Sequence, residues 1–191
     1  MIFSYTGVPD SHKRCTFDSF KWTEGKKGLR TALEEFAGGS GKGMVLIGKP
    51  GIGKTHLMVA TYLYAQDKYM KFPGSDIIFF DWQQFLNYVR DGFKSSIRGD
   101  ALTDKICSTE LLIMDDVRPE PQGTFWKEIF EQIIEYGYNN NTKLLLSTNA
   151  DSTEELCERW GMTDYHFSRL VSMCKIVVVK GKDARLEGNK E

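Results

Sequence analysis

Residues 44–57, MVLIGKPGIGKTHL, leave few folds open to this chain. Met44, Val45, Leu46 and Ile47 form an apolar run with no polar face, the pattern of a central parallel strand buried on both sides. Gly48, Gly51 and Gly53 then let the backbone turn tightly and bring N–H groups against an anion. Lys54 and Thr55 open the helix that follows. The spacing Gly48-x-x-x-x-Gly53-Lys54-Thr55 is that of the phosphate-binding P-loop, whose amides and helix N-terminus cradle phosphates. A glycine turn between strand and helix is the plain alternative. The bare pattern arises by chance in roughly one chain of this length in 150, so the apolar strand before it and the helix after it carry the assignment. On this assignment Gly48, Lys49, Pro50, Gly51, Ile52, Gly53, Lys54, Thr55 and His56 line a nucleoside triphosphate. Lys54 reaches its β- and γ-phosphates, and the Thr55 hydroxyl holds Mg2+.

At 191 residues the chain is long enough for one sizeable core and short for two. A formal charge of −1 supplies no global basic field, so any nucleic-acid contact must come from a local patch. Cys15, Cys107, Cys157 and Cys174 lack C-x-x-C spacing, which argues against a zinc site and for free thiols in a reducing cytoplasm. No apolar run reaches membrane-spanning length, and the N-terminus lacks the order of a signal peptide. An intracellular protein with no membrane partner is expected.

Residues 1–23 read as an extended lead-in pinned to the rest by Phe17 and Phe20. Residues 24–191 read as one domain. Leu29, Ala32, Leu33 and Phe36 recur at helical spacing up to Gly38-Gly39. The P-loop helix is expected over 54–69, a second strand over 77–80 with Asp81 capping the next helix, and a short helix near Leu102 to Cys107. A third strand is expected over 111–114. Two i, i+4 rows (Phe125, Ile129, Ile133 and Trp126, Phe130, Ile134) predict a broad buried helix face, followed by Asn139-Asn140-Asn141 as a turn. A fourth strand over 144–146, helices near 152–160 and 164–171, and a last strand over 176–179 complete the pattern. Strands alternating with helices imply an α/β fold with a five-stranded parallel sheet covered on both faces.

Leu111-Leu112-Ile113-Met114-Asp115-Asp116 has the form of a Walker B strand, with acids at the carboxyl end where open α/β sheets bind ligands. Asp115 is expected to hold Mg2+ and Asp116 to polarise the attacking water. Aspartate is one methylene shorter than the glutamate more often found there, so the water must sit closer. Two acids in a helix-capping turn are the alternative. The strand over 77–80, between P-loop and Walker B in the chain, points to the ATPase branch in which an extra strand separates the two motifs. Asn149, ending the fourth strand, either hydrogen-bonds the γ-phosphate or lytic water, or caps the following helix. Arg169 on a late helix either reaches a neighbouring subunit's γ-phosphate or makes a surface salt bridge.

GKPGIGKTHL, LLIMDD, YNNNTKLLLSTN, FSRL and GKDAR, in this order, resemble the AAA+ module of bacterial helicase loaders of the DnaC and DnaI type, close to the IstB transposition ATPases. The lead-in GVPDSHKRCTFDSF is similar to the segment that precedes that module, so the resemblance covers almost the whole chain. It implies a three-layer P-loop sandwich of the AAA+ type, with ATP and Mg2+ as ligands. It also implies self-assembly into a ring or spiral, with Arg169 as the finger acting in trans. An extra helix lining a single-stranded DNA channel is implied too, where Phe93, Lys94 and Arg98 fall. A ring and two cations suit that role, although Phe93 equally suits a core and Lys94 a solvated face. Arg185 in GKDAR matches a position often basic in the family. Two departures stand out. Loaders carry a separate N-terminal domain that grips the hexameric helicase, where here only a short lead-in precedes the module. Arg118-Pro119 also follows Asp115-Asp116-Val117 where the family often has glycine, so the loop past Walker B would sit differently.

The function implied is an ATPase of DNA replication that binds single-stranded DNA and acts on a replicative helicase. A transposition helper acting on duplex DNA and a small-molecule kinase are alternatives. The kinase lacks an arginine-rich lid segment, and no Asn-Lys-x-Asp motif supports guanine binding.

Overall fold

A computed structural model describes residues 8–22, 26–69, 77–93, 106, 109–118, 124–181 and 183. Five strands carry the fold: β1 (Gly43–Ile47), β2 (Ile77–Asp81), β3 (Leu111–Asp115), β4 (Lys143–Thr148) and β5 (Cys174–Val178). All pairings are parallel, in the order β2-β3-β4-β1-β5. β1, β3 and β4 are apolar along nearly their whole length because both of their faces are covered.

Side-chain alternation divides the core in two. Val45, Ile47, Leu112, Met114, Leu144 and Leu146 face one layer of helices. That layer holds α3 (Trp82–Phe93), α4 (Phe125–Asn140), α5 (Thr153–Trp160) and α6 (Asp164–Met173). Met44, Leu46, Leu111, Ile113 and Leu145 face the other, built from α1 (Lys27–Ala37), α2 (Lys54–Tyr69) and the lead-in. The result is a three-layer sandwich. In α4 the second predicted row, Trp126, Phe130 and Ile134, is buried together with Ile133, whereas Phe125 and Ile129 pack at its margin. Among the described residues no helix is long and apolar enough to cross a membrane.

Four expectations are corrected. The asparagine run is not all turn: Asn139 and Asn140 stay helical and only Asn141 turns, at φ 57°. Their side chains bond backward along the helix, Asn140 Nδ2 to Tyr136 O at 3.0 Å and Asn139 Nδ2 to Glu135 Oε1 at 3.3 Å, which offsets their low helical preference. The strand between P-loop and Walker B in space is β4, not β2; β2 lies at the sheet edge beyond β3. The lead-in is not uniformly extended, since Asp10–His12 form a 3-10 turn. β5 begins at Cys174, directly after α6, because Cys174 pairs with Gly43. The helix expected near Leu102 to Cys107 lies outside the described residues apart from Ile106, which is buried.

Candidate nucleotide-binding site

β1 ends at Ile47 and α2 begins at Lys54, leaving Gly48 to Gly53 as the connecting loop. Two glycines there answer to specific crowding. Gly53 sits at φ 94°, and a Cβ on it would meet the Phe20 ring at 2.7 Å. Gly51, at φ 78°, has the Asp183 carboxylate against it, so a Cβ there would overlap that group. Phe20 itself is buried and tilted against Trp22 at 4.7 Å, so the lead-in packs directly on the loop. Lys54 is 7% exposed. Its ammonium donates to Gly48 O at 2.6 Å, Lys49 O at 2.8 Å and Asn149 Oδ1 at 2.8 Å. It therefore closes the loop on itself and ties it to the end of β4.

Strand order puts the acids beside that lysine. β3 pairs with β4 and β4 with β1, so the carboxyl ends of the three strands, with Asp115, Ser147 and the start of the P-loop, lie together at one edge. Ser147 Oγ donates to Asp115 Oδ1 at 2.5 Å and accepts from the Asp116 N–H at 2.9 Å. The Thr55 hydroxyl also bonds the Asp115 carboxylate. Asp116 adopts φ 54°, a left-handed conformation disfavoured for a residue with a side chain. The turn is held by Val117 N to Ser147 O at 2.8 Å and Thr148 Oγ1 to Val117 O at 2.5 Å. Asn149 Nδ2 then donates to Asp116 Oδ1 at 3.0 Å. The amide can face only one way, because lysine can only donate to it and a carboxylate can only accept. Lys54, Asn149 and Asp116 thus form one continuous polar line.

Burial dominates the acids' electrostatics. It pushes the Asp115 carboxyl above the usual range, against the hydrogen bonds from Ser147 and Thr55. Asp116 is raised for the same reason, opposed by the charges of Arg118 and Lys54. Negative charge here is poorly compensated, which suits a site that would gain a cation.

The other sequence-predicted residues fall into four groups. Ile52 is buried, while Lys49 and Pro50 are exposed, with Lys49 Nζ 3.9 Å from Asp151. His56 turns toward the lead-in: its Nε2 lies 2.9 Å from Thr16 O and 3.1 Å from Ser19 Oγ, with its ring edge-on to Phe20. Arg169 pairs with Glu135 of α4 and stacks on Tyr165 at 4.0 Å. Phe93 is the last residue of α3, and Lys94, Arg98 and Arg185 lie outside the described residues.

Sequence reasoning passed over Ser147 and Thr148, although two hydroxyls ending a buried apolar strand are a readable signal. It also missed Arg159, which donates to Asn149 O from α5, and Asp183 beside Gly51. Those two depend on packing between distant segments.

The profile of the bacterial DnaA ATPase domain matches residues 11–169. The replicative helicase loader DnaC of Escherichia coli K12 is 23% identical over 158 residues, covering 80% of this chain and 62% of DnaC. The chain thus spans about three fifths of the length of that relative. A crystal structure of the DnaC helicase loader superimposes with a TM-score of 0.76 at 22% identity, covering 90% of this chain and all of that one. The replication initiator DnaA, solved bound to AMPPCP and single-stranded DNA, gives a TM-score of 0.70 at 20% identity over 92% of this chain and 51% of that one. These likenesses share the parallel P-loop sandwich of the AAA+ type. With the family profile covering most of its length, the chain belongs to the bacterial DnaA ATPase-domain family.

Proposed function

We propose that this chain binds ATP with Mg2+ at the P-loop and hydrolyses it in the cytoplasm, as an assembly on single-stranded DNA that acts on a replicative helicase. The observation that carries the chemistry is the line from Lys54 through Asn149 to Asp116. It couples the phosphate-binding loop, the end of β4 and the acid after β3, so a γ-phosphate held by Lys54 would be sensed at Asp116. Lys54 would exchange its bonds to Gly48 and Lys49 carbonyls for phosphate oxygens, and its charge would stabilise the transferring group. Asp116 would accept hydrogen bonding from the attacking water, with Asn149 fixing one of its oxygens.

Support for the metal comes from Thr55 and Asp115, a hydroxyl and a buried carboxylate already in hydrogen-bond contact. Both are hard oxygen donors of the kind Mg2+ takes. When bound there, Mg2+ would supply neutralising charge for the phosphates. The partners are inferred from the relatives: DnaC is a replicative helicase loader, and the DnaA structure contains single-stranded DNA. Phe93, Lys94 and Arg98 are the proposed DNA contacts. Arg169, held by Glu135 and Tyr165, is proposed to serve a neighbour's nucleotide in a ring or spiral.

Phosphate release measured across protein concentration, with and without single-stranded DNA, tests this. Hydrolysis that rises more than linearly with concentration and increases with DNA is expected. ATP binding without release under any of these conditions would overturn the enzymatic assignment.

A further inference from the structure

Arg118 has no role in the site as described so far, yet its surroundings are unusually well fixed. The backbone on either side of it is anchored from two elements. Thr148 Oγ1 donates to Val117 O at 2.5 Å, and the fully buried Trp82 donates from Nε1 to Arg118 O at 3.2 Å. From that clamped turn the guanidinium returns to Asp116, with Nη1 3.6 Å from Oδ2. The other carboxylate oxygen, Oδ1, receives the Asn149 amide at 3.0 Å. Asp116 therefore has a hydrogen-bonded amide from the residue after β4 at one oxygen and a cation from its own turn facing the other, while its backbone sits at φ 54°.

The stability of this pair does not account for the arrangement. The Arg118 side chain is 53% exposed, and a half-solvated ion pair at this separation contributes little to folding. What the contact does control is orientation. A short aspartate side chain has two rotatable bonds, and an amide bonded at one oxygen with a cation facing the other narrows that freedom. We propose that Arg118 is a positioning residue that fixes the Asp116 carboxylate for activation of water at the γ-phosphate. The proposal rests on the assignment of Asp116 to the attacking water.

The test is steady-state phosphate release from Mg-ATP by the full chain carrying Arg118→Ala, Arg118→Lys or Asp116→Asn, with thermal midpoints as the folding control. Arg118→Ala should lower kcat about tenfold with KM for ATP unchanged, since misorienting a reacting group costs turnover rather than binding. Arg118→Lys should recover most of the loss, because an ammonium on a similar stem still reaches Oδ2. A kcat unchanged in Arg118→Ala would overturn the proposal, as would a raised KM with kcat intact, which would mark Arg118 as a phosphate ligand instead. Failure of the underlying assignment looks different: Asp116→Asn would then be as active as the parent, or the parent would release no phosphate. A parent sensitive to Asp116→Asn but indifferent to Arg118→Ala sinks the Arg118 role alone.

Discussion

The carboxyl edge of the sheet and the outer face formed by α4 and α6 each withdraw a cation from water, and they satisfy it differently. At the edge, Lys54 donates three hydrogen bonds between 2.6 and 2.8 Å to loop carbonyls and Asn149. On the outer face, Arg169 is 18% exposed, paired with Glu135 and sandwiched near Tyr165 and Tyr138. There Arg169 Nη1 sits against Glu135 Oε2, and Glu131 Oε1 lies 3.3 Å from His166 Nδ1 and 3.9 Å from Lys127 Nζ. A buried network of aligned hydrogen bonds fixes one geometry, whereas ion pairing and stacking on rings are less directional. In the first region the cation is hydrogen-bonded within a single chain. The second is the region that the proposed assembly would use.

That contrast can be broken most directly at Lys54. Lys54→Ala should reduce hydrolysis by about 1,000-fold at every protein concentration, because the loop loses its charge whether or not chains assemble. Calorimetry with Mg-ATP checks the matching loss of binding. Arg169→Ala should cost about 100-fold, but only at concentrations where the parent shows accelerated turnover, with nucleotide affinity of the dilute chain intact. An equal loss at all concentrations would place Arg169 in its own chain's site and erase the distinction.

Two smaller effects sharpen the picture. Asp115→Asn should abolish Mg-dependent hydrolysis yet raise stability by about 1 kcal/mol in thermal or denaturant unfolding, since a functional charge is removed from a buried position. The sign follows from the raised carboxyl: its native value lies above the unfolded one, so the cost is fully present above the native value and vanishes below the unfolded value. The variant's advantage over the parent should therefore be full above the raised native value and fade as pH falls through it toward the unfolded carboxylate range. Glu135→Gln, which leaves the Arg169 stack on Tyr165 in place, should lower the concentration for half-maximal hydrolysis by about twofold to fivefold, a gain of under ~1 kcal/mol typical of a partly exposed pair. A shift to higher concentration would mean that Glu135 orients Arg169 for its partner.

The chain's local code carried far into the site. Gly48 to Thr55 declares its loop because glycine spacing and the following lysine act within a single turn, and Asp115-Asp116 declare themselves by ending an apolar run. Strand period is read directly in the structure, where Leu144 and Leu146 face one layer and Leu145 the other. What period does not encode is order across the sheet. Nothing in residues 143–148 taken alone says that this strand inserts between β1 and β3, yet only that insertion sets Ser147 against Asp115 and Asn149 between Lys54 and Asp116. The same holds for Arg169: its helix is legible in the sequence, but its pairing with Glu135 depends on α4 and α6 packing side by side. Short-range conformational preferences are written into neighbouring residues. Contacts between segments a hundred residues apart arise from how whole elements bury their apolar faces against one another, and that was decided only by the tertiary structure.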